Sequence, residues 1–395
     1  MAELPRRIYL DHAATSWPKP EAVYAAVDRY QRELGAPAGR GAYAEALQVS
    51  QMVESARRAV AALLQAEDSR RIVFTFNGTD SLNLAIHGSL GAAGGHVVTT
   101  AVEHNSVLRP LRALADAARV EVTRVDCNAL GVVDPDDIRR ALRPDTKLVA
   151  LTHASNVTGA LQPVAEVGRI TREHGALYLV DAAQSLGEIP LLVQELQADL
   201  LAAPGHKGLL GPLGTGVLYI RPGVERRLAS LRQGGTGSHS EDDRQPGQLP
   251  DKYESGNLNV GGIVGLAAGI QWLNERGLAE VRRHAVELTQ RLMAGLSAID
   301  GVRLFGPPAG GRVAVVSLTL EGLDSQELAA SLDSAYRIQT RPGLHCAPAM
   351  HRALGTLESG GTVRLSMGAT TTAEEVDAAI AAVLEIAGAM LNTKH

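Results

Sequence analysis

The chain is poor in cysteine and in aromatic residues, and both scarcities limit what it can be. Cys127 and Cys346 are the 2 cysteines among 395 residues, so neither a disulfide framework nor a four-thiolate zinc site can form. Free thiols are the simpler expectation, and they indicate a reducing compartment. Aromatic residues make up only 3% of the chain, so its core must be built mainly from Ala, Val, Leu and Ile.

Long apolar runs and basic runs are absent as well. No window approaches about 18 apolar residues without a charge, so we expect no membrane-spanning helix. The first residues lack the apolar stretch of a signal peptide, and we therefore expect a cytoplasmic protein with no membrane partner. Lys and Arg total 38 and Asp and Glu total 43, which gives a net charge of −5. This mildly acidic balance argues against a dedicated nucleic-acid binder.

Short apolar runs alternate with amphipathic stretches, which predicts an α/β fold with a mostly parallel sheet. The runs are rich in β-branched residues and are bounded by Gly, Pro, Asn or Asp, as buried strands are. They cover residues 71–76, 96–100, 120–125, 147–152, 176–180, 199–203 and 216–220. Helical patterns at 134–142 and 164–174 separate some of them. Ligands bind beyond the carboxyl ends of such strands, so chemistry is expected there.

The second half of the chain begins with a long loop. Residues 232–259 are rich in Gly, Ser, Asp and Pro and lack periodicity, and loops of this length are usually functional. Helical patterns at 260–276 and 278–299 follow, and then strands at 313–320 and 362–366. We expect three parts: an N-terminal arm (1–18), a large α/β domain (19–256) and a smaller α+β domain (257–395).

Two predicted strands in succession end in residues of opposite charge. Asp181 follows one strand, and Lys207 follows the next in a glycine-rich loop. Taken alone, Asp181 is a good helix N-cap and Lys207 is an ordinary loop lysine. Together they resemble the Schiff-base lysine and the acidic pyridinium partner of pyridoxal 5′-phosphate enzymes. The pair therefore favours that cofactor.

Three other strand ends carry polar residues that fit the same ligand. Thr79 and Asp80 open a helix, where free N–H groups and a hydroxyl can bind a phosphate, although both residue types are also common caps. His104 is placed either to stack on a planar ring or simply as a polar residue after a strand, and Asn156 can donate to a ring oxygen. No single match is strong, but the five strand ends together indicate one cofactor.

Longer stretches carry a resemblance that covers nearly the whole chain. They read YLDHAAT at 9–15, NVTG at 156–159, DAAQ at 181–184, GHK at 205–207, ESGNLNVGG at 254–262, RPGLHCAP at 341–348 and VRLS at 363–366. The sequence resembles the cysteine desulfurases, which are fold-type I pyridoxal-phosphate enzymes of the class V aminotransferase superfamily. Its cysteine motif resembles that of the group II desulfurases. The implied fold is a large domain with a mostly parallel sheet and a smaller α+β domain carrying the catalytic cysteine.

The resemblance implies roles for the residues around the cofactor ring. Lys207 would hold pyridoxal phosphate as a Schiff base, and Asp181 would pair with the pyridinium nitrogen. His104 would stack on the ring. Asn156 and Gln184 would hydrogen-bond near its phenolic oxygen.

At the phosphate, the sequence departs from the family pattern. Thr79, the backbone around Asp80, and His206 would bind the phosphate. The family usually has Ser where Pro204 stands, so one hydroxyl is missing. Asn257 replaces the Thr of the loop that reaches the partner subunit's phosphate, and its amide can still donate. Asp80 replaces Thr or Glu, and because a carboxylate repels phosphate we expect this side chain to point away and to contribute only its N–H.

The implied substrate is L-cysteine. Arg364 would clamp its carboxylate with a bidentate guanidinium, and Ala13, Arg341 and Asn156 would complete the substrate site. Cys346 would attack the substrate sulfur, which yields L-alanine and a persulfide on the enzyme.

The two cysteines admit other interpretations, which the sequence favours less. Cys346 fits a buried apolar residue less well, because its loop has no apolar periodicity. A metal site made with His345 and His351 is disfavoured, because no paired Cys or His cluster completes it. We expect Cys127 to be structural.

A homodimer is implied, since the 232–259 loop would complete the neighbour's site, and so is a sulfur-acceptor protein that no motif identifies. Iron–sulfur cluster assembly and thio-cofactor synthesis both stay open as pathways. The alternatives on the same scaffold are selenocysteine lyase, cysteine or cystine C–S lyase, and transaminase. The non-enzymatic alternative is an inactive sulfur-carrier scaffold, which only the missing Ser at position 204 favours.

Overall fold

The computed structural model describes residues 7–91, 94–238 and 241–393, and within these ranges it has 13 strands and 11 α-helices. The strands are β1 (Ile8–Tyr9), β2 (Ile72–Thr75), β3 (Gly95–Thr100), β4 (Val120–Val125), β5 (Thr146–Thr152), β6 (Leu177–Asp181), β7 (Leu200–Pro204), β8 (Gly216–Ile220), β9 (Val302–Phe305), β10 (Val315–Leu320), β11 (Ile338–Gln339), β12 (Arg341–Gly343) and β13 (Thr362–Ser366). The helices are α1 (Glu21–Arg29), α2 (Ala44–Leu63), α3 (Gly78–Leu90), α4 (Asn105–Asp116), α5 (Pro135–Ala141), α6 (Val164–His174), α7 (Val260–Arg276), α8 (Leu278–Ser297), α9 (Ser325–Tyr336), α10 (Pro348–Ala353) and α11 (Ala373–Thr393). None of the described helices combines the length and the apolar character that a bilayer crossing requires.

Of the described strands, 7 form the central sheet in the order β2-β8-β7-β6-β5-β3-β4. The pairs from β7 across to β4 are parallel, whereas β8 runs antiparallel to both β7 and β2. The expected α/β fold with a mostly parallel sheet is therefore confirmed. The expected strands agree with the observed ones to within one or two residues.

Both faces of the central sheet are covered, as the buried apolar runs predict. On β6, Tyr178 and Val180 lie in one core cluster, and Leu177 and Leu179 lie in the other. This alternation follows from the two-residue period of a strand, which sends successive side chains to opposite faces. Because helices cover both faces of the sheet, ligands can reach it at the ends of its strands.

A second core surrounds a smaller antiparallel sheet of order β12-β13-β10-β9. Apolar residues of α8, α9 and α11 pack on this sheet. β1 pairs in parallel with β11, and Leu10 is buried in this second core. Residues 8–10 of the N-terminal arm therefore pack on the smaller unit, and the Ser16 N–H donates to the His206 carbonyl of the larger unit at 2.9 Å. Residues 1–6 of that expected arm lie outside the described residues.

Helix α7 belongs by its packing to the larger unit. Its residues Val260, Ile263 and Leu273 lie in the same core cluster as the central sheet, whereas Ala285 of α8 joins the second core. The expected domain boundary at residue 256 precedes α7. We propose that the larger unit extends through α7, because the apolar residues of this helix are buried in the larger core.

The 232–259 loop is attached to the central sheet by a buried ion pair. No helix or strand occurs among the described residues of this loop. Arg57 on α2 donates from Nη1 and Nη2 to the Glu254 carboxylate at 2.7 and 2.9 Å. The Phe74 N–H on β2 also donates to Glu254 Oε1, at 2.6 Å. One carboxylate thus connects the end of the loop to a helix and to an edge strand.

We expect Glu254→Gln to lower the free energy of unfolding by about 3 to 5 kcal/mol, because it removes the bidentate charged partner of the buried Arg57 and leaves the more exposed Glu54, 3.4 Å from its Nε, as its ion-pair partner. Urea unfolding followed by fluorescence measures the change. The control is Glu33→Gln, which breaks the exposed pair with Arg29 and should cost less than about 1 kcal/mol. Equal costs for the two substitutions would contradict the assigned role of Glu254.

Candidate active site

The loops that follow the central strands line one pocket, which is partly open to solvent. It lies beyond the carboxyl ends of the parallel strands, where the fold favours ligand binding. The structure brings together on its wall the predicted residues Thr79, His104, Asn156, Asp181, Gln184, His206 and Lys207. Residues far apart in sequence thus meet because consecutive parallel strands end at one edge of the sheet.

Asp181 and Lys207 carry the two opposite charges of this pocket. Burial raises the pKa of Asp181, while the Ala183 N–H, which donates to Oδ1 at 2.9 Å, and Lys207 act in the opposite direction. Burial lowers the pKa of Lys207 to about 8, with Asp181 opposing the shift and Arg364 and Arg341 adding to it. The lysine amine is therefore available as a base near neutral pH.

His104 is held as a neutral ring at the start of α4. It is the N-cap of this helix, and its Nδ1 accepts the Ser106 N–H at 3.0 Å. Burial lowers the pKa of His104 to about 4, and the charge of Lys207 adds to the effect. A neutral imidazole that accepts at Nδ1 carries its proton on Nε2. Ser106 Oγ also lies 2.7 Å from Thr79 Oγ1, which links two predicted site residues.

Sequence reasoning missed Ser106. The sequence does contain a signal for this residue: Ser106 lies two residues after His104, and an apolar helical pattern begins there. That spacing is typical of an N-cap and the N2 residue it binds.

The amino end of α3 provides free donors at one side of the pocket. No described residue accepts the N–H groups of Gly78 and Thr79, and His206 Nδ1 is buried without a hydrogen-bond partner. Burial lowers the pKa of His206 to about 4. A Cβ at Gly78 would lie 3.0 Å from Pro204 Cδ, so glycine allows the helix to begin against this proline. Donors at a helix amino end suit a phosphate.

Asp80 points away from the pocket. Its carboxylate accepts the Phe76 N–H at 2.9 Å and pairs with Arg232 Nη1 at 2.8 Å. The Asp80 N–H donates to Asn77 Oδ1 at 2.9 Å. The Asp80 side chain points away from the pocket, as expected. Its backbone N–H was expected to bind the phosphate, but the side chain of the N-cap residue Asn77 already accepts it.

Five other predicted residues do not line this pocket either: Ala13, Asn257, Arg341, Cys346 and Arg364. Asn257 lines a separate cavity beside Arg232 and Glu254. Ala13 lines a second cavity of about 560 Å³ that shares Gln184 and Lys207 with the first. The Gln184 side chain donates to the Ala13 carbonyl at 3.0 Å, which ties the N-terminal arm to the end of β6.

Arg364 is buried and already partnered. Its Nη2 pairs with Asp11 Oδ1 at 2.7 Å, its Nη1 donates to the Asn156 carbonyl at 3.0 Å, and its Nε is buried without a partner. Asp11 stood in the 9–15 motif without an assigned role. It supplies the counter-charge that allows a guanidinium to stay charged in this position.

The loop that carries Cys346 contacts the pocket residues through its backbone. The Asn156 side-chain amide donates to the His345 carbonyl at 2.5 Å, and the Asn105 N–H donates to the Cys346 carbonyl at 2.8 Å. Cys346 is exposed, and its Sγ lies 3.7 Å from Arg341 Nη2. The thiol itself is not on the pocket wall, although its loop is bound to a residue that is.

This fold and this set of residues define a class of protein. The sequence profile described as aminotransferase class-V matches residues 8–379, so the chain belongs to that family. A probable cysteine desulfurase of Methanothermobacter thermautotrophicus is 39% identical over 96% of this chain and 95% of its own length. A probable cysteine desulfurase of Pyrococcus abyssi is 36% identical over 96% of this chain and 94% of its own length.

Solved structures agree with these relatives. The apo cysteine desulfurase of Thermococcus onnurineus superposes with a TM-score of 0.90 at 34% identity, over 97% of this chain and 95% of that one. A cysteine desulfurase of Escherichia coli has a TM-score of 0.86 at 29% identity, over 97% and 95% of the two chains. Within the class V family, the chain is thus a member of the cysteine desulfurases, which are pyridoxal-phosphate-dependent enzymes. The expected family is confirmed.

The low pKa of His104 gives stability a definite pH dependence. The folded pKa of about 4 lies below the ordinary value of about 6.5, so the unfolded chain binds the proton more readily. Stability from this residue is complete above pH 6.5 and is lost as the pH falls towards 4, by up to about 1.4 kcal/mol per pH unit. His104→Asn keeps an N-cap side chain and should show a shallower loss. Urea midpoints between pH 7 and 4.5 measure it, and identical slopes would contradict the prediction.

Proposed function

We propose that this chain binds pyridoxal phosphate in the pocket and converts L-cysteine to L-alanine, with transfer of the sulfur to Cys346. The observation that carries the proposal is the opposed pair Asp181 and Lys207 on one pocket wall, with the Cys346 loop bound to Asn156 of the same wall. The reaction balances without an external oxidant: L-cysteine and the Cys346 thiol give L-alanine and a Cys346 persulfide.

The residues present fit this cofactor. The free N–H groups at the start of α3 and the unpartnered His206 Nδ1 suit its phosphate. The Asp181 carboxylate can hold a proton on the pyridine nitrogen, and the Lys207 amine can bind the aldehyde carbon. When bound, pyridoxal phosphate withdraws electrons from the Cα–H bond of an amino acid.

The protein itself supplies the base, the clamp and the nucleophile. With a pKa of about 8, the Lys207 amine can accept the Cα proton and return it to the product. Arg364 can bind the substrate carboxylate, since its guanidinium is planar and bidentate and Asp11 already orients it. The thiolate is the attacking form of a cysteine, and Arg341 puts a positive charge 3.7 Å from the Cys346 sulfur.

We also propose a homodimer and a sulfur-acceptor protein. Asn257 lies outside the pocket of its own subunit, which supports a role towards a second copy. Cys346 is exposed, so a persulfide formed there is accessible to an acceptor. Size-exclusion chromatography with light scattering tests the dimer.

Cys346→Ala should abolish persulfide formation and leave the visible absorbance of the bound cofactor unchanged, because the thiol does not line the cofactor pocket. The measurement is alanine and persulfide production from L-cysteine, with Cys127→Ala as the matched control. Pyruvate, ammonia and free sulfide from L-cysteine would instead assign a cysteine C–S lyase, and pyruvate, ammonia and thiocysteine from cystine would assign a cystine lyase. Alanine and elemental selenium from L-selenocysteine, formed without Cys346, would assign a selenocysteine lyase. A colourless protein that cannot bind the cofactor would assign an inactive scaffold.

Lys207→Ala should prevent covalent attachment of pyridoxal phosphate. Borohydride reduction followed by mass spectrometry detects the attachment as a stable adduct in the native protein, because a reduced Schiff base no longer hydrolyses. The control is Lys19→Ala, since that lysine binds Ser16 outside the pocket. An adduct that persists in Lys207→Ala would show that another lysine binds the aldehyde.

A further inference from the structure

The segment before the proposed nucleophile has an uncommon backbone. His345 and Cys346 are consecutive non-glycine residues with φ of 50° and 58°. This left-handed region disfavours side chains that carry a Cβ, so the surrounding structure must hold both residues there. Two hydrogen bonds to backbone carbonyls are part of that support: the Asn156 side-chain amide donates to His345, and the Asn105 N–H donates to Cys346. The His345 side chain makes a third connection.

Three buried side chains form a chain of hydrogen bonds behind the loop. His345 Nε2 lies 3.0 Å from the Arg341 carbonyl, and His345 Nδ1 lies 3.3 Å from His351 Nε2. His351 Nδ1 lies 2.8 Å from Thr356 Oγ1. His351 is on α10 and is fully buried, as Thr356 nearly is. The chain therefore connects the exposed Cys346 loop to the buried side of α10.

The Arg341 carbonyl determines which atom carries the proton in each of these hydrogen bonds. The Arg341 carbonyl can only accept, so His345 Nε2 must donate. A neutral His345 then accepts at Nδ1, which requires His351 Nε2 to donate. His351 Nδ1 consequently accepts, and the Thr356 hydroxyl, which also lies 3.4 Å from the His351 carbonyl, donates to the nearer Nδ1 at 2.8 Å. Each ring must be neutral and must carry its proton on Nε2.

The surroundings keep both rings neutral. Burial lowers the pKa of His345 to about 2, with the charges of Arg364 and Arg341 adding to the effect. Burial also lowers the pKa of His351 to about 4. Because the chain ends on a carbonyl, it cannot pass a proton onward. Its geometry therefore serves position and not proton transfer.

We propose that His351 is a positioning residue that, through His345 and together with Thr356, holds the Cys346 loop in its left-handed conformation for attack on the substrate sulfur. The inference rests on the proposed function only in one respect, namely that desulfuration is the reaction for which the Cys346 loop is held in place. The ordered hydrogen bonds and the loop conformation exist whatever the substrate is.

The test compares His351→Ala with His351→Gln in the full-length holoenzyme. A glutamine amide can donate from Nε2 to His345 and can accept from Thr356 at Oε1, so His351→Gln preserves the series of hydrogen bonds. Alanine can make neither bond, so His351→Ala interrupts the series. Thr356→Val removes only the terminal donor. The matched control is His96→Ala, because His96 on β3 is also buried between two threonines, Thr146 on β5 and Thr123 on β4.

His351→Ala should slow Cys346 persulfide formation by about tenfold to a hundredfold, the usual effect of a displaced reacting group. Exchange of the substrate Cα proton in deuterated water needs Lys207 but not the thiol, and should stay unchanged. His351→Gln should restore persulfide formation to within about threefold. Equal losses in both variants, no loss in either, or a parallel loss of Cα proton exchange would overturn the proposal.

Two readouts are independent of turnover and separate a failure of this inference from a failure of the proposed function. Nitrogen-15 spectra of the imidazoles should show His345 and His351 neutral and protonated at Nε2, and a proton on Nδ1 of either ring would overturn the proposal. Amide hydrogen exchange at residues 344–347 should accelerate in His351→Ala and not in His351→Gln or His96→Ala. Absence of a persulfide in the unsubstituted protein would refute the desulfurase function alone.

Discussion

The placement of one buried negative and one buried positive charge at neighbouring strand ends determines the rest of the site. Asp181 pairs in register with Ala202 on the adjacent parallel strand, whose following loop carries Lys207. Burial alone would make both groups neutral, and each charge opposes that effect on the other. The imidazoles of His104 and His206 on the same wall have low pKa values, so they add no charge near pH 7. The lysine amine thus stays accessible as a base while the carboxylate stays available to hold a proton on a ring nitrogen.

A second constraint joins the two units of the fold. Asn156 belongs to the large unit, yet its side chain binds the His345 carbonyl and its own carbonyl accepts from Arg364, both in the small unit. Asp11 on the N-terminal arm completes this junction through Arg364. The groups proposed to bind the substrate carboxylate and to attack the sulfur are therefore oriented by one residue of the cofactor pocket. A shift between the units would displace both groups together.

Local sequence patterns predicted the strands and the polar residues that end them, because strand periodicity and turn residues act over a few positions. Asp181, Lys207, His104 and Asn156 were found in this way. The ion pairs that orient Arg364 and the Asp80 side chain were not predicted, since each of them joins distant parts of the chain. Arg364 and Asp11 are 353 positions apart, and Arg232 and Asp80 are 152 apart. The packing of α7 in the larger core was also unpredicted, because an apolar helix face does not specify which core it covers.

Two of the departures from the family pattern, at Pro204 and Asp80, are compensated within the structure. Pro204 provides no hydroxyl, but the pocket keeps two free N–H groups of α3 and the unpartnered His206 Nδ1 as donors. The negative charge of Asp80 is turned away and is balanced by Arg232 at 2.8 Å. A scaffold that had lost catalysis would have no reason to retain a desolvated lysine opposite a buried aspartate, since unpaired burial of either charge is costly. The retained charges and the compensated losses therefore favour an active site over an inactive carrier.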